Sequence, residues 1–188
     1  MIIHLLRHGR TIANEKGFYC GSSDQPLSDG GIEQLRQLKT EISFPITERY
    51  VTSGLRRTIE TLKILYDKTP DAVVEELNEY NFGDFEMKPY NDLKENPDYI
   101  RWISGDDDVS CPNGESRKKF RERISYGFEL VRAMKAESVF IVCHGGVIAS
   151  LMNMLFKEQK KSYDEWLPQN GHGYTIKISG TVMSFEPL

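Results

Sequence analysis

Ile2-Ile3-His4-Leu5-Leu6, stopping at Arg7-His8-Gly9, and Ser138-Val139-Phe140-Ile141-Val142-Cys143, stopping at His144-Gly145-Gly146, decide the fold class of this chain. Each is a short apolar run closed by glycine, the pattern of a buried strand entering a loop. Working outward, Ile32, Leu35, Leu38 and Ile42 recur at helical spacing, which predicts a helix over 32–42. Tyr50–Ser53 reads as a second strand leading into a helix over 55–66, and Ala72–Val74 as a third strand. The pattern predicts further helices over 115–135 and 147–156, with closing strands over 173–178 and 182–185. Strands alternating with helices define an α/β fold, with three layers and a mostly parallel central sheet flanked by helices. Residues 17–31 read as a loop and 77–85 as an irregular aromatic segment. Residues 88–113 carry prolines, Trp102 and the acidic run Asp106–Asp108, and read as a small lid-like insertion subdomain.

The composition narrows the chemistry. The chain has 188 residues, 24 Lys+Arg against 28 Asp+Glu and a net charge of −4. That length suits a single domain over 1–188, and the mild acidity argues against a nucleic-acid partner. No apolar run reaches the roughly 20 residues that span a bilayer, so no membrane partner is expected. The N-terminus lacks a basic region, and the three cysteines (Cys20, Cys111, Cys143) show no CxxC spacing, which places the chain in a reducing cytoplasm. The four histidines lack metal-finger or HExxH spacing, so neither metal nor cofactor is expected. Walker A, GxGxxG and GxSxG patterns are absent. An anionic ligand would therefore need a local cluster of positive charge.

Such a cluster is readable. Ligands of open α/β sheets bind at the carboxyl ends of strands, where His8 and His144 both stand, each followed by glycine. Arg7 sits between a buried run and His8. The junction Ser53-Gly54-Leu55-Arg56-Arg57 brings one arginine of two to the same edge, together with a helix N-terminus suited to an anion. Cys143 reads as a core residue rather than a nucleophile.

These residues resemble the signature of the histidine phosphatase superfamily, which includes the phosphoglycerate mutases. Arg7-His8-Gly9-Arg10-Thr11 with Asn14 is similar to its RHG element, and Gly21-Ser22-Ser23-Asp24-Gln25-Pro26-Leu27-Ser28 to its G-x-x-D-x-P-L-T stretch. Ser53–Arg57 with Thr61 resembles S-D-L-x-R…T, a frame that selects Arg57 over Arg56. Leu77–Gly83, Asn113-Gly114-Glu115-Ser116 and Val142–Ile148 follow in the family's order. The resemblance implies a phosphoglycerate mutase-like fold with His8 as nucleophile, forming a phosphohistidine. It further implies that Arg7, Arg57, Asn14 and His144 clamp the phosphoryl group, with Glu79 as acid and base in a pocket formed by Tyr80, Phe82 and Phe85. Cys20, Gly21, Gly145 and Arg10 join the phosphate or substrate contacts.

Three positions depart from the family pattern: Arg10 stands where Glu is usual, Gly54 where Asp is usual, and Met87 where Gly follows Glu86. The arginine-rich segment with which the mutases grip glycerate is missing from 100–108. The expected activity is therefore metal-independent hydrolysis of a small-molecule phosphate ester by a monomer or homodimer. A mutase-type phosphotransferase and a non-catalytic binder of phosphorylated ligands are the alternatives.

Overall fold

The computed structural model describes residues 1–188. The strand β1 (Ile2–Arg7) is followed by a short helix α1 (Ile12–Lys16), in which Thr11 and Asn14 cap each other reciprocally. Helix α2 (Asp29–Glu41) begins three residues before its apolar stripe, because the Ser28 hydroxyl accepts from the Gly31 N–H and so starts the helix. Strand β2 (Arg49–Thr52), helix α3 (Arg56–Tyr66) and the two-residue strand β3 (Ala72–Val73) follow. The insertion contains two short helices, α4 (Tyr90–Leu93) and α5 (Pro97–Ser104). Helix α6 (Arg117–Arg132), capped by Ser116, leads to β4 (Ser138–Cys143) and α7 (Gly145–Leu155). The short α8 (Tyr163–Trp166), in a segment without a readable pattern, precedes β5 (Gly173–Ser179) and β6 (Val182–Pro187).

The six strands form one mixed sheet in the order β3-β2-β4-β1-β5-β6. The first four are parallel, β5 runs antiparallel to β1, and β6 turns back along β5. Alternate strand residues face opposite layers, as pleating requires. Leu6, Tyr50, Phe140 and Val142 pack with Leu35 of α2 and Leu62 of α3 on one face. Ile3, Leu5, Val139 and Ile141 pack with α6 and α7 on the other.

The insertion has no core of its own. Leu93, Tyr99, Trp102 and Cys111 join the larger core, and Trp102 Nε1–H donates to the Tyr80 hydroxyl at 3.0 Å. The acidic run is partly paired. Arg121 pairs with Asp107 at 2.6 Å and Lys118 with Asp108 at 3.1 Å, tying the insertion to α6.

Met87 has a φ of +59°, a left-handed conformation that glycine enters freely and other residues rarely do. The turn that glycine commonly makes is therefore kept here by a methionine.

Candidate functional site

Strand register creates the site. In the β1–β4 ladder Arg7 lies opposite Cys143, so the next residues, His8 and His144, emerge side by side. Their ring centroids are 5.2 Å apart, and the His8 N–H donates to the Cys143 carbonyl at 3.0 Å. Both strands leave the sheet at neighbouring ends with glycine next, so no side chain at the following position stands over either imidazole.

Each imidazole has its tautomer set by its partners. The His8 Nδ1–H donates to the Gly9 carbonyl at 2.6 Å, an oxygen that can only accept. Nε2 is left with its lone pair. Burial holds His8 well below the usual imidazole range, with Arg57 and Arg7 acting in the same direction against the Gly9 carbonyl. The residue is thus neutral where an exposed histidine would begin to protonate. His144 is fully buried; its Nδ1 accepts from Arg57 Nε at 3.3 Å and its Nε2–H donates to Ser53 Oγ at 2.7 Å. Burial, then Arg57 and His8, push it down as well. With both nitrogens engaged, His144 orients Arg57 in this arrangement instead of presenting a free N–H to a phosphoryl group.

Arg57 is buried, and its remaining bonds go to the carbonyls of Gly21 (2.7 Å) and Ser23 (2.8 Å). Arg56 instead faces outward and pairs with Glu60 at 2.6 Å. Gly54 leaves no carboxylate beside Arg57, and the loop carbonyls take over that support. The N-terminus of α3 is not open to an anion, because Asp24 accepts from the Arg56 N–H at 2.6 Å. The N-terminus of α7 faces the site in its place.

Arg7 donates from Nη1 to the Pro168 carbonyl at 2.8 Å, while its buried Nε has no acceptor in the protein. Burial works against the charge on Arg7 and Arg57, and Glu79 favours it on both. A buried guanidinium donor without a partner costs free energy until an anion meets it.

Glu79 is held from two sides: its oxygens accept from the Tyr80 N–H at 3.0 Å and the Gly146 N–H at 2.9 Å. The approach is close, since a Cβ on Gly146 would lie 2.4 Å from Glu79 Oε1. Gly146→Ala must therefore move the carboxylate. A displacement of about 1 Å costs roughly 100-fold in rate, so turnover of alkyl phosphates should fall by about that factor. Inhibition by inorganic phosphate, which does not depend on Glu79, should hold steady in the same steady-state assay.

The other expected contacts fare differently from one another. Asn14 accepts at Oδ1 from the Thr11 N–H at 3.0 Å and from Asn170 Nδ2 at 3.5 Å, and Asn170 also donates to the His8 carbonyl at 2.9 Å. Gly145 abuts Arg7, its missing Cβ lying 3.0 Å from the guanidinium carbon. Gly21 is already spent, because its N–H donates to Glu86 at 3.0 Å and its carbonyl holds Arg57. The Cys20 thiol is pushed up by burial and stays neutral, 3.8 Å from the Ser23 carbonyl. Arg10 is exposed and makes no hydrogen bond or ion pair from its side chain. Phe85 lies in the core, 1% exposed, and does not wall the cavity.

Arg123 and Glu86 support the site without belonging to any of the motifs. Arg123 donates to the carbonyls of Glu76, Asn78 and Glu79 and pairs with Glu115 at 2.6 Å, fixing the irregular segment that carries Glu79. Glu86 accepts from the N–H groups of Gly21, Ser22, Ser23 and Phe82 and so holds the loop that holds Arg57. Neither forms a local pattern; the spacing of Glu115 and Arg123, two turns apart on and before α6, is the one available signal.

Beside Glu79 opens a cavity of about 870 Å³. Tyr19, Tyr80, Phe82, Trp102 and Phe120 give it an aromatic wall. Ser150, Asn153 and Lys157, spaced along α7 and just beyond it, line it with polar groups. No cluster of three or more His, Cys, Asp or Glu side chains is placed to hold a metal ion.

Two imidazoles at the ends of adjacent parallel strands, the buried Arg57 and half-buried Arg7 guanidiniums and the Glu79 carboxyl form a centre suited to phosphoryl groups. The chain belongs to the histidine phosphatase superfamily, branch 1, whose pattern matches residues 3–186, and it is a phosphatase of small phosphate esters. It is 30% identical over 183 residues to the adenosylcobalamin/alpha-ribazole phosphatase of Salmonella typhi, covering 95% of this chain and 91% of that one. The 2,3-bisphosphoglycerate-dependent phosphoglycerate mutase of Parvibaculum lavamentivorans is 30% identical over 168 residues, covering 83% and 80%. The crystal structure of the alpha-ribazole phosphatase from Shigella flexneri superposes with a TM-score of 0.88 at 28% identity, over 100% of this chain and 96% of that one. No helix is long and apolar enough to cross a membrane.

Proposed function

We propose that this chain hydrolyses a phosphate monoester in two steps through a phosphohistidine on His8, and that the departing alcohol is a nucleoside-sized molecule with a flat ring. The observation that carries the reading is the His8 Nδ1–H bond to Gly9, which leaves the Nε2 lone pair unspent on a ring that feels the charges of Arg57 and Arg7. Nε2 attacks phosphorus in line, the P–O ester bond breaks, and Glu79 gives its proton to the departing alkoxide. Glu79 then takes a proton from water, whose oxygen attacks phosphorus and breaks the N–P bond, releasing phosphate and restoring the imidazole. Arg7 Nε, the free donors of Arg57 and the Gly145 N–H at the start of α7 carry the charge of the transferring group. His144 keeps Arg57 in place.

The aromatic wall and the cavity volume support the substrate class, since ligand pockets of this size enclose molecules of a few hundred daltons. The likeness to the alpha-ribazole phosphatases points the same way. Three free thiols suit a reducing cytoplasm.

The test is a rapid acid-free quench of the protein with a panel of phosphate esters, EDTA present, followed by peptide mass spectrometry. A phosphoryl group on His8 and release of inorganic phosphate are the expected results. Transfer among phosphoglycerate positions without net release would assign the mutase reaction, and no labelling with any ester would leave only a binding role.

A further inference from the structure

Tyr163 is the first residue of α8, a one-turn helix fixed at both ends. Ser162 and Glu165 cap each other, and the fully buried Trp166 packs between Phe156, Tyr174 and Phe185. Tyr163 itself is 44% exposed and lines the cavity beside Glu79. Its hydroxyl is 3.1 Å from the point where Gly146 would carry a Cβ, and Glu79 Oε1 is 2.4 Å from the same point. Both oxygens therefore border the same small space, left open because residue 146 has no side chain. The phenol makes no hydrogen bond within the protein. Burial, then Glu79, raise it above the ordinary phenol range while Arg7 opposes, so it remains a donor.

From this geometry we infer that Tyr163 is a substrate-contacting residue: its hydroxyl donates to an oxygen of the departing alcohol other than the bridging oxygen, and so seats the bridging oxygen against Glu79. The inference rests on the proposed hydrolysis and adds the requirement for an oxygen-bearing alcohol near the ester bond. Glu79 itself is already supplied with two backbone donors, so it does not need the phenol for orientation.

The experiment compares ribose 5-phosphate with cyclopentylmethyl phosphate, two primary-alcohol esters of similar size. The second has no oxygen outside its phosphate group. Single-turnover phosphorylation of His8 is followed for the wild type and for Tyr163→Phe, which keeps the ring and its packing. Tyr163→Phe should slow phosphorylation by ribose 5-phosphate roughly tenfold, the value of one neutral hydrogen bond. It should leave the cyclopentylmethyl ester and the later hydrolysis of phosphohistidine unchanged. Equal slowing on both esters would overturn the inference and make Tyr163 a support for Glu79, and no change on either would overturn it outright. Absence of phosphohistidine in the wild type would instead bring down the hydrolytic reading itself.

Discussion

Replacing His8 by Ala should abolish turnover, with a loss on the order of 10⁵-fold, and should remove all phosphoryl labelling of the protein. The size of the effect follows from the absence of a substitute. The other imidazole, His144, has both nitrogens engaged, by Arg57 and by Ser53. The nearest thiol, Cys143, is buried, its burial pushing it far above the usual thiol range. The same geometry fixes the pH dependence. His8 is held well below the usual imidazole value by burial and by the two arginines, so the free protein keeps a neutral nucleophile as pH falls through 6.5. Protonation would remove the Nε2 lone pair, so an acid loss of kcat/KM belongs at the depressed value. Corrected for the substrate's own second ionisation near pH 6, kcat/KM should therefore stay level through pH 6.5 and fall well below it. A steady-state pH profile on an aryl phosphate checks this, and an acid limb centred at 6.5 would contradict the buried, arginine-flanked environment.

Glu79→Gln should divide substrates by leaving group. Protonation of the departing oxygen is worth about 10²–10⁴-fold, and an alkoxide needs all of it, whereas a nitrophenolate leaves unaided. Alkyl phosphates should thus lose two to four orders of magnitude in kcat. With 4-nitrophenyl phosphate the first step should proceed almost unimpaired, while the second lacks its base. Phosphohistidine should accumulate, seen as a burst of nitrophenol equal to the protein concentration followed by a slow phase. Gln is not a perfect replacement, because both Glu79 oxygens accept backbone N–H groups and an amide nitrogen can accept from neither. The leaving-group contrast separates the two effects: misplacement alone would slow every ester alike and give no burst.

The two predictions turn on residues of very different legibility. His8 and His144 stand out in the chain, since each ends an apolar run and precedes glycine, and that local pattern survives folding unchanged. Glu79 is an ordinary carboxylate until its motif is seen whole. Two helices start earlier than their apolar stripes indicate: Ser28 starts α2 before its stripe, and Gly145 and Gly146 begin α7 despite their low helix propensity. Tyr163 and Glu86 stand in no local pattern and Arg123 only in its spacing from Glu115, because the groups they meet around the site come mostly from distant segments.

By itself, the sequence determined the alternation of strands and helices, the two histidine-bearing strand ends and the local positive charge hidden in a chain of net charge −4. Tertiary structure alone decided which groups are free to act. Register set His8 beside His144, loop carbonyls and Asp24 claimed Arg57 and the start of α3, and Arg121 and Lys118 paired with Asp107 and Asp108 of the acidic run. The physical reason is that periodicity and residue type report burial along one chain. Hydrogen-bond partners, and hence which lone pair or N–H remains unspent, are settled only when distant segments meet.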